Sequence, residues 1–193
     1  MNNQELMTIL TETGAYQEGH FKLSSGLHSP NYVQCSQLLK YPRLAEKVCK
    51  HIAELFTNEE IDIVVGPAIG GILVAYEVAR AMDKPAIFAE RENDKMTLRR
   101  GFSVEKGMRC LVTEDVLTTG GSAQEVVDLL ESLGAIVVSA TSIIDRTKGN
   151  TLKLKVPYQS LIELEIPTFS DDDCPEWLSE RPIQKPGSRP GLI

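Results

Sequence analysis

The residues with the most chemical potential lie in the stretch 111–122, LVTEDVLTTGGS. Leu111, Val112 and Thr113 are apolar or β-branched and suit a buried strand. Two adjacent carboxylates, Glu114 and Asp115, come next. Val116 and Leu117 then lead into Thr118, Thr119, Gly120, Gly121 and Ser122. A loop of small hydroxyl residues and glycines turns backbone N–H groups toward one point, and a helix start behind it adds partial positive charge. Glycines permit a close approach, and hydroxyls add donors. The chemistry this suits is the grip of a phosphate monoester, with the two carboxylates at hand for sugar hydroxyls or a magnesium-bound group. The competing reading is an ordinary strand-to-helix turn with a serine N-cap; the Glu-Asp pair counts against it.

Several elements must position these groups. Val126, Val127, Leu129, Leu130 and Leu133 recur at helical spacing, with Gly134 placed as a C-cap. Residues 61–65, IDIVV, read as a buried parallel strand. They run into GPAIGG at 66–71 and a helix over 72–82, a second strand–glycine loop–helix unit. That loop could cradle a second anion or be a close-packed turn. Residues 84–89 form a third strand. The segment 90–107, ERENDKMTLRRGFSVEKG, is long and basic, with Arg91, Lys95, Arg99, Arg100 and Lys106. Loops of that length in compact domains tend to be functional, which makes it a candidate lid; a solvated hairpin is the alternative. A strand over 135–144 ends in Asp145-Arg146. Arg146 could hold an anionic substrate through a two-pronged contact, or pair with Asp145 at the surface.

Toward the N-terminus, residues 3–13 form a helix with Leu6, Ile9 and Leu10 on one face. Residues 15–32 read as a flap, with a strand at 21–24 and turns at Ser25-Gly26 and Ser29-Pro30. His20 and His28 in it read as solvated. A helix over 41–56 starts at Pro42, whose missing donor costs little there, and buries Leu44, Val48, Ile52 and Leu55. A late strand is expected around 152–154 and 158–162, and the tail, 170–193, is expected to wrap the surface.

Alternation of strands and helices predicts an α/β fold, a twisted, mainly parallel sheet with helices on both faces. The 193 residues, 42% of them apolar, are read as one domain, 1–193, whose residues 1–40 form a small N-terminal hood. Ligands bind such sheets outside the carboxyl ends of the strands. The loops at 66–71, 90–107, 114–122 and 145–146 would then converge on one rim, as a pocket for a polyanionic sugar phosphate. The net charge of −7 argues against a general nucleic-acid binder. No run approaches the roughly 18 apolar residues of a membrane span, and the N-terminus does not read as a signal peptide. The four cysteines lack metal-ligand spacing. Cys49 and Cys110 read as buried thiols, which fits a reduced, cytoplasmic protein.

VTEDVLTTGGS resembles the signature of type I phosphoribosyltransferases. The segments FKLSSGLHSPNY, GPAIGG, RENDKMTLRRG, the strand-end Asp145-Arg146 and KPGSR at 185–189 resemble the orotate-specific branch, in the expected order over nearly the full length. The resemblance implies the substrates 5-phosphoribosyl 1-diphosphate and orotate, Mg2+ held mainly by substrate with no ligand directly from the protein, and a homodimer with shared sites. Glu114 and Asp115 would hold the ribose hydroxyls and assist the reaction. Val116 and Leu117, with Thr118, Thr119, Gly120, Gly121 and Ser122, would bind the phosphoribosyl moiety. Thr118 and Arg146 would contact orotate, and 66–71 the diphosphate. Arg91 and the catalytic Lys95 would reach into the neighbouring subunit's site. Glu92, Thr97, Ser24 and Gly70 stand where relatives carry basic or histidine residues; Arg99 and Arg100 are candidates to supply the missing charge. Cys174-Pro175 lacks the second cysteine found in some relatives, so no tail metal site is expected. A purine-specific transferase and a non-catalytic regulator are the other readings.

Overall fold

The computed structural model describes residues 1–23, 25–147 and 154–186. Helix α1 (Asn3–Glu12) starts where the Asn2 side chain accepts the Glu5 N–H at 2.8 Å, and it buries Leu6, Ile9 and Leu10. Strands β1 (Tyr16–Lys22) and β2 (His28–Val33) pair antiparallel. A short turn of helix, α2 (Ser36–Leu39), precedes α3 (Pro42–Glu54). Then come β3 (Ile63–Pro67), α4 (Gly70–Met82), β4 (Ala86–Glu92), β5 (Lys95–Leu98), β6 (Arg109–Leu117), α5 (Gly121–Ser132), β7 (Ile136–Asp145) and β8 (Tyr158–Glu163). The tail supplies α6 (Glu176–Ser179) and β9 (Ile183–Gln184).

Six strands form the central sheet in the order β5-β4-β3-β6-β7-β8, parallel except for β5. Successive strand side chains point to opposite faces. On one face Val64 and Leu111 join Val48, Ile52, Val74, Val78 and the α1 residues Leu6 and Leu10. On the other, Ile63, Val65, Cys110 and Val112 meet Val126, Val127 and Leu130 of α5. Burial on both sides explains why these strands read as continuous apolar runs. Each fully buried Val or Leu contributes about 1.5–3 kcal/mol. Among the described residues no helix is long and apolar enough to cross a membrane.

Several sequence expectations need correction. The flap strand begins at Tyr16 and ends at Lys22; Ser24 lies outside the described residues. The turn is at Ser25-Gly26, where Gly26 has φ +86°, but Ser29-Pro30 lies inside β2. That strand is an edge of the small sheet β2-β1-β9, where the missing proline donor is harmless. His20 and His28 are buried, at 1% and 4% exposure. Leu55 is 39% exposed at the end of α3; the buried face runs through Ala45, Val48, Cys49, Ile52 and Ala53. The tail is part of the structure: β9 pairs with β1 and Leu178 is fully buried. Residues 90–98 form a hairpin that reverses at Asn93 and Asp94, both left-handed, between the paired Glu92 and Lys95. Residues 152, 153 and 187–193, including the last three of KPGSR, lie outside the described residues.

Candidate active site

The site is assembled where β3, β6 and β7 end. Strand β6 carries Glu114 and Asp115 in its last turn of pleat, then delivers the chain to Gly120, whose φ of +72° starts α5. Glycine tolerates this backbone conformation, which other residues adopt at a cost. The first helical bond is Gln124 N–H to Gly120 O at 2.8 Å. The amides just before it have no intrahelical acceptor and are free to face an anion. Thr118 and Thr119 are exposed, so their hydroxyls are open to a ligand.

The turn 66–71 closes against this strand. A Cβ on Gly66 would stand 2.3 Å from Gly71 O, and one on Gly71 2.8 Å from Thr113 O. Both positions therefore need glycine for close backbone approach, not for unusual dihedrals. The Ala68–Ile69 peptide is cis. Gly70 begins α4 directly beside the Asp115 carboxylate. This places the second glycine loop and the acidic pair in one site.

Burial raises both carboxyl groups above their ordinary range. Glu114 is pushed up to about 8, chiefly by desolvation and then by the neighbouring Asp115 charge. Asp115 is raised mainly by desolvation, opposed by the Val116 N–H, which donates to its Oδ1 at 2.9 Å. Contact with Glu114 lowers Asp115, so the pair titrates as a unit with Glu114 as the proton holder.

Arg146 follows β7 and is tied to the same rim by its N–H, which donates to Leu117 O at 2.7 Å. Its Nε is buried and unpartnered, and among the described residues it has no ion pair. Asp145 does not pair with it; the Asp145 carboxylate accepts the Thr147 N–H at 2.6 Å. Burial lowers the Arg146 pKa, offset only by Tyr32. A half-buried guanidinium without a counter-charge is built to receive one. Tyr32, from β2, was not singled out in the sequence; nothing in its local pattern marks it, since only the fold brings β2 to Arg146.

The basic hairpin lies differently. Arg91 reaches α5, with Nη1 2.7 Å from Glu125 Oε2. Arg99 pairs with Glu92 and Arg100 with Glu90, so their charge is engaged within the hairpin. Lys95 lines a shallow groove with Asp94, Met96, Glu125, Asp128 and Leu129. The loops 66–71, 114–122 and 145–146 meet in one site, whereas Arg91 and Lys95 lie along the outer side of α5. A cavity of about 510 Å3 opens at the other ends of the strands, lined by Lys50, Asp62, Lys84 and Arg109 among others. It contains none of these groups.

The arrangement offers a phosphate cradle, a second anion turn, two carboxylates between them and an unpaired cation, which suits a sugar carrying phosphate at both ends and an anionic second substrate. A family model for the phosphoribosyl transferase domain matches residues 34–172. The orotate phosphoribosyltransferase of Desulforamulus reducens is 46% identical over 189 residues, covering 98% of both chains. That of Thermotoga maritima is 48% identical, covering 94% of this chain and 96% of its own. Among solved structures, orotate phosphoribosyltransferase from Aeropyrum pernix superposes with a TM-score of 0.72 at 27% identity, covering 82% of this chain and 93% of that one.

Proposed function

The chain belongs to the phosphoribosyltransferase family, and we propose that it transfers the phosphoribosyl group of 5-phosphoribosyl 1-diphosphate to orotate. The products are orotidine 5-phosphate and diphosphate, a step in pyrimidine nucleotide synthesis. The observation that carries the orotate reading is Arg146, a half-buried guanidinium with a buried, unpartnered Nε at the phosphate rim. A carboxylated base supplies the missing counter-charge; a purine does not.

The chemistry is a displacement at the anomeric carbon with positive charge developing on the ribosyl ring. Glu114 and Asp115 accept the ribose hydroxyls and stabilise that charge. The amides and hydroxyls of Thr118, Thr119, Gly120, Gly121 and Ser122, with the backbone of Val116 and Leu117, hold the 5-phosphate. The turn 66–71 takes the diphosphate, and Thr118 with Arg146 orients orotate. Mg2+ fits this donor set, because a divalent cation held by the substrate favours the ionised carboxylates that burial otherwise disfavours. It would neutralise the leaving diphosphate.

A homodimer is supported by the outer face of α4. Ile69, Leu73 and Tyr76, at 85%, 50% and 60% exposure, make an apolar stripe one helical face wide. Tyr41 is also exposed, at 46%. In a dimer, Arg91 and Lys95 would serve the partner's site, in keeping with their placement against α5. The free thiols are consistent with a reducing, cytoplasmic setting.

The test is the loss of orotate absorbance when purified protein meets the sugar diphosphate and Mg2+. Turnover of a purine base without turnover of orotate would overturn the reading.

A further inference from the structure

Away from the phosphate rim, the N-terminal hairpin and the tail bring together three side chains that the transfer reaction does not use. His20 comes from β1, His28 from the start of β2, and Cys174 from the chain just before α6. One potential ligand atom from each, two ring nitrogens and a sulfur, lies within 4.8 Å of the others. Both histidines are more than nine-tenths buried.

Their hydrogen bonds determine what these atoms offer one another. The outer nitrogen of His20, Nδ1, lies 3.1 Å from Arg181 O. A carbonyl oxygen only accepts, so this nitrogen carries the hydrogen. The outer nitrogen of His28, Nε2, lies 2.6 Å from Asp171 Oδ1. Lys22, donating to that carboxylate at 3.0 Å, and then His28 itself hold Asp171 below the usual carboxylate range, so it too only accepts. A neutral imidazole has one N–H and one lone pair. The inner atoms, His20 Nε2 and His28 Nδ1, therefore turn lone pairs toward each other at 2.5 Å. Two neutral rings so placed repel, and a positive species between them removes the repulsion: a proton fits the gap as it stands, and a metal with bonds of about 2.0–2.1 Å fits once the rings part to about 3.3 Å.

We propose that His20, His28 and Cys174 form a binding site for a borderline-soft divalent cation of the Zn2+ class, against the sequence expectation of no tail metal site, because the N-terminal hairpin supplies two ligands that the tail lacks. Two imidazoles and a thiolate are a donor set suited to such an ion, with bonds of about 2.0–2.1 Å to nitrogen and about 2.3 Å to sulfur. The outer shell is already in place. Metal-bound histidines typically donate their second N–H to a carboxylate or a backbone carbonyl, which fixes the tautomer. Asp171 and Arg181 O do so here. Three protein ligands leave a fourth position for solvent. The ion would bind β1, β2 and the tail to one another, in a part of the chain where the small sheet has only two residue pairs between β1 and β9. The rival is a single proton shared by the two rings, which leaves one of them charged.

Full-length protein, stripped with a chelator and dialysed, is titrated with Zn2+ alone and then with Co2+ alone. The expected result is about one ion retained per chain, a Co2+ spectrum with a thiolate-to-metal charge-transfer band, and a rise in Tm on binding. In Cys174→Ser the charge-transfer band disappears and Zn2+ affinity falls more than about 100-fold, while Asp171→Asn weakens it by about 10-fold. Failure of the unmutated chain to retain Zn2+, a Co2+ spectrum without the thiolate band, or unchanged affinity in both Cys174→Ser and His20→Gln would each overturn the site and leave the shared proton. The wild-type Co2+ spectrum decides even where a variant folds poorly, and it is independent of orotate turnover.

Discussion

Gly70 lies so close to Asp115 that a Cβ built on it would stand 2.6 Å from the carboxylate Oδ1. The start of α4 and the acidic end of β6 thus share one boundary, and a side chain at position 70 has no room here unless Asp115 turns away. Gly70→Ala is accordingly expected to lower turnover by about 10-fold, the cost of about 1–3 kcal/mol for overpacking falling on the Asp115 rotamer. Alanine is the better helix former by up to about 1 kcal/mol, which offsets part of that cost, so Tm should fall only slightly while turnover drops. Steady-state kinetics beside thermal melts check this; a parallel loss of Tm and activity would show that the contact is only structural.

The acidic pair predicts a pH dependence. Glu114 binds its proton more tightly folded, at about 8, than at its ordinary 4.5. Between these values the native state holds more protons than the unfolded one, so stability falls as pH rises through the window. The free enzyme should melt progressively lower from about pH 5 to about pH 8, and Glu114→Gln should flatten that slope. Ribose hydroxyls donate to the ionised form, so kcat/KM for the sugar diphosphate should rise over the same window. A profile in which Glu114→Gln keeps the wild-type slope would remove Glu114 from the titration.

Arg146 predicts a split between function and stability. Its removal deletes a half-buried charge that has no ion pair among the described residues, so Arg146→Ala should keep or raise Tm. The same change leaves a bound orotate carboxylate unpaired, a loss of about 2–5 kcal/mol, and KM for orotate should rise at least about 30-fold. The sugar diphosphate KM should change little. A Tm drop with an unaltered orotate KM would reassign Arg146 to the scaffold.

What could be read in advance followed from local pattern. Strands β3, β6 and β7 are buried on both faces, so their runs were plain, and each glycine loop announced a helix start. The phosphate cradle and acidic pair are contiguous in sequence and were legible for that reason. His20 and His28 were not: each looks polar and isolated, and only pairing with β9 and Asp171 buries them. Pro30 looked like a turn because local preference cannot show that its strand is an edge. Leu55 fits the helical stripe, yet the helix ends there and the side chain is left in solvent. Arg99 and Arg100 looked free because the glutamates that hold them face them across the hairpin. The electrostatic influence of Tyr32 on Arg146 joins two units of the fold that no spacing rule connects.

The hairpin yields the sharpest test of subunit sharing. Lys95 has no ion pair among the described residues and lies beside α5, while Arg146 lies on the phosphate rim. If Lys95 serves the partner's site, Lys95→Ala and Arg146→Ala damage different halves of each site. Either variant alone should lose most of its activity. Random mixing makes half the dimers hybrid, each with one intact site, so an equimolar mixture refolded or exchanged together should recover about a quarter of wild-type turnover. Were Lys95 to act within its own subunit, every hybrid site would lack one residue and the mixture would stay as inactive as its parts. The readout is orotate absorbance against mixing time, with hybrid formation followed by native mass spectrometry on the same samples.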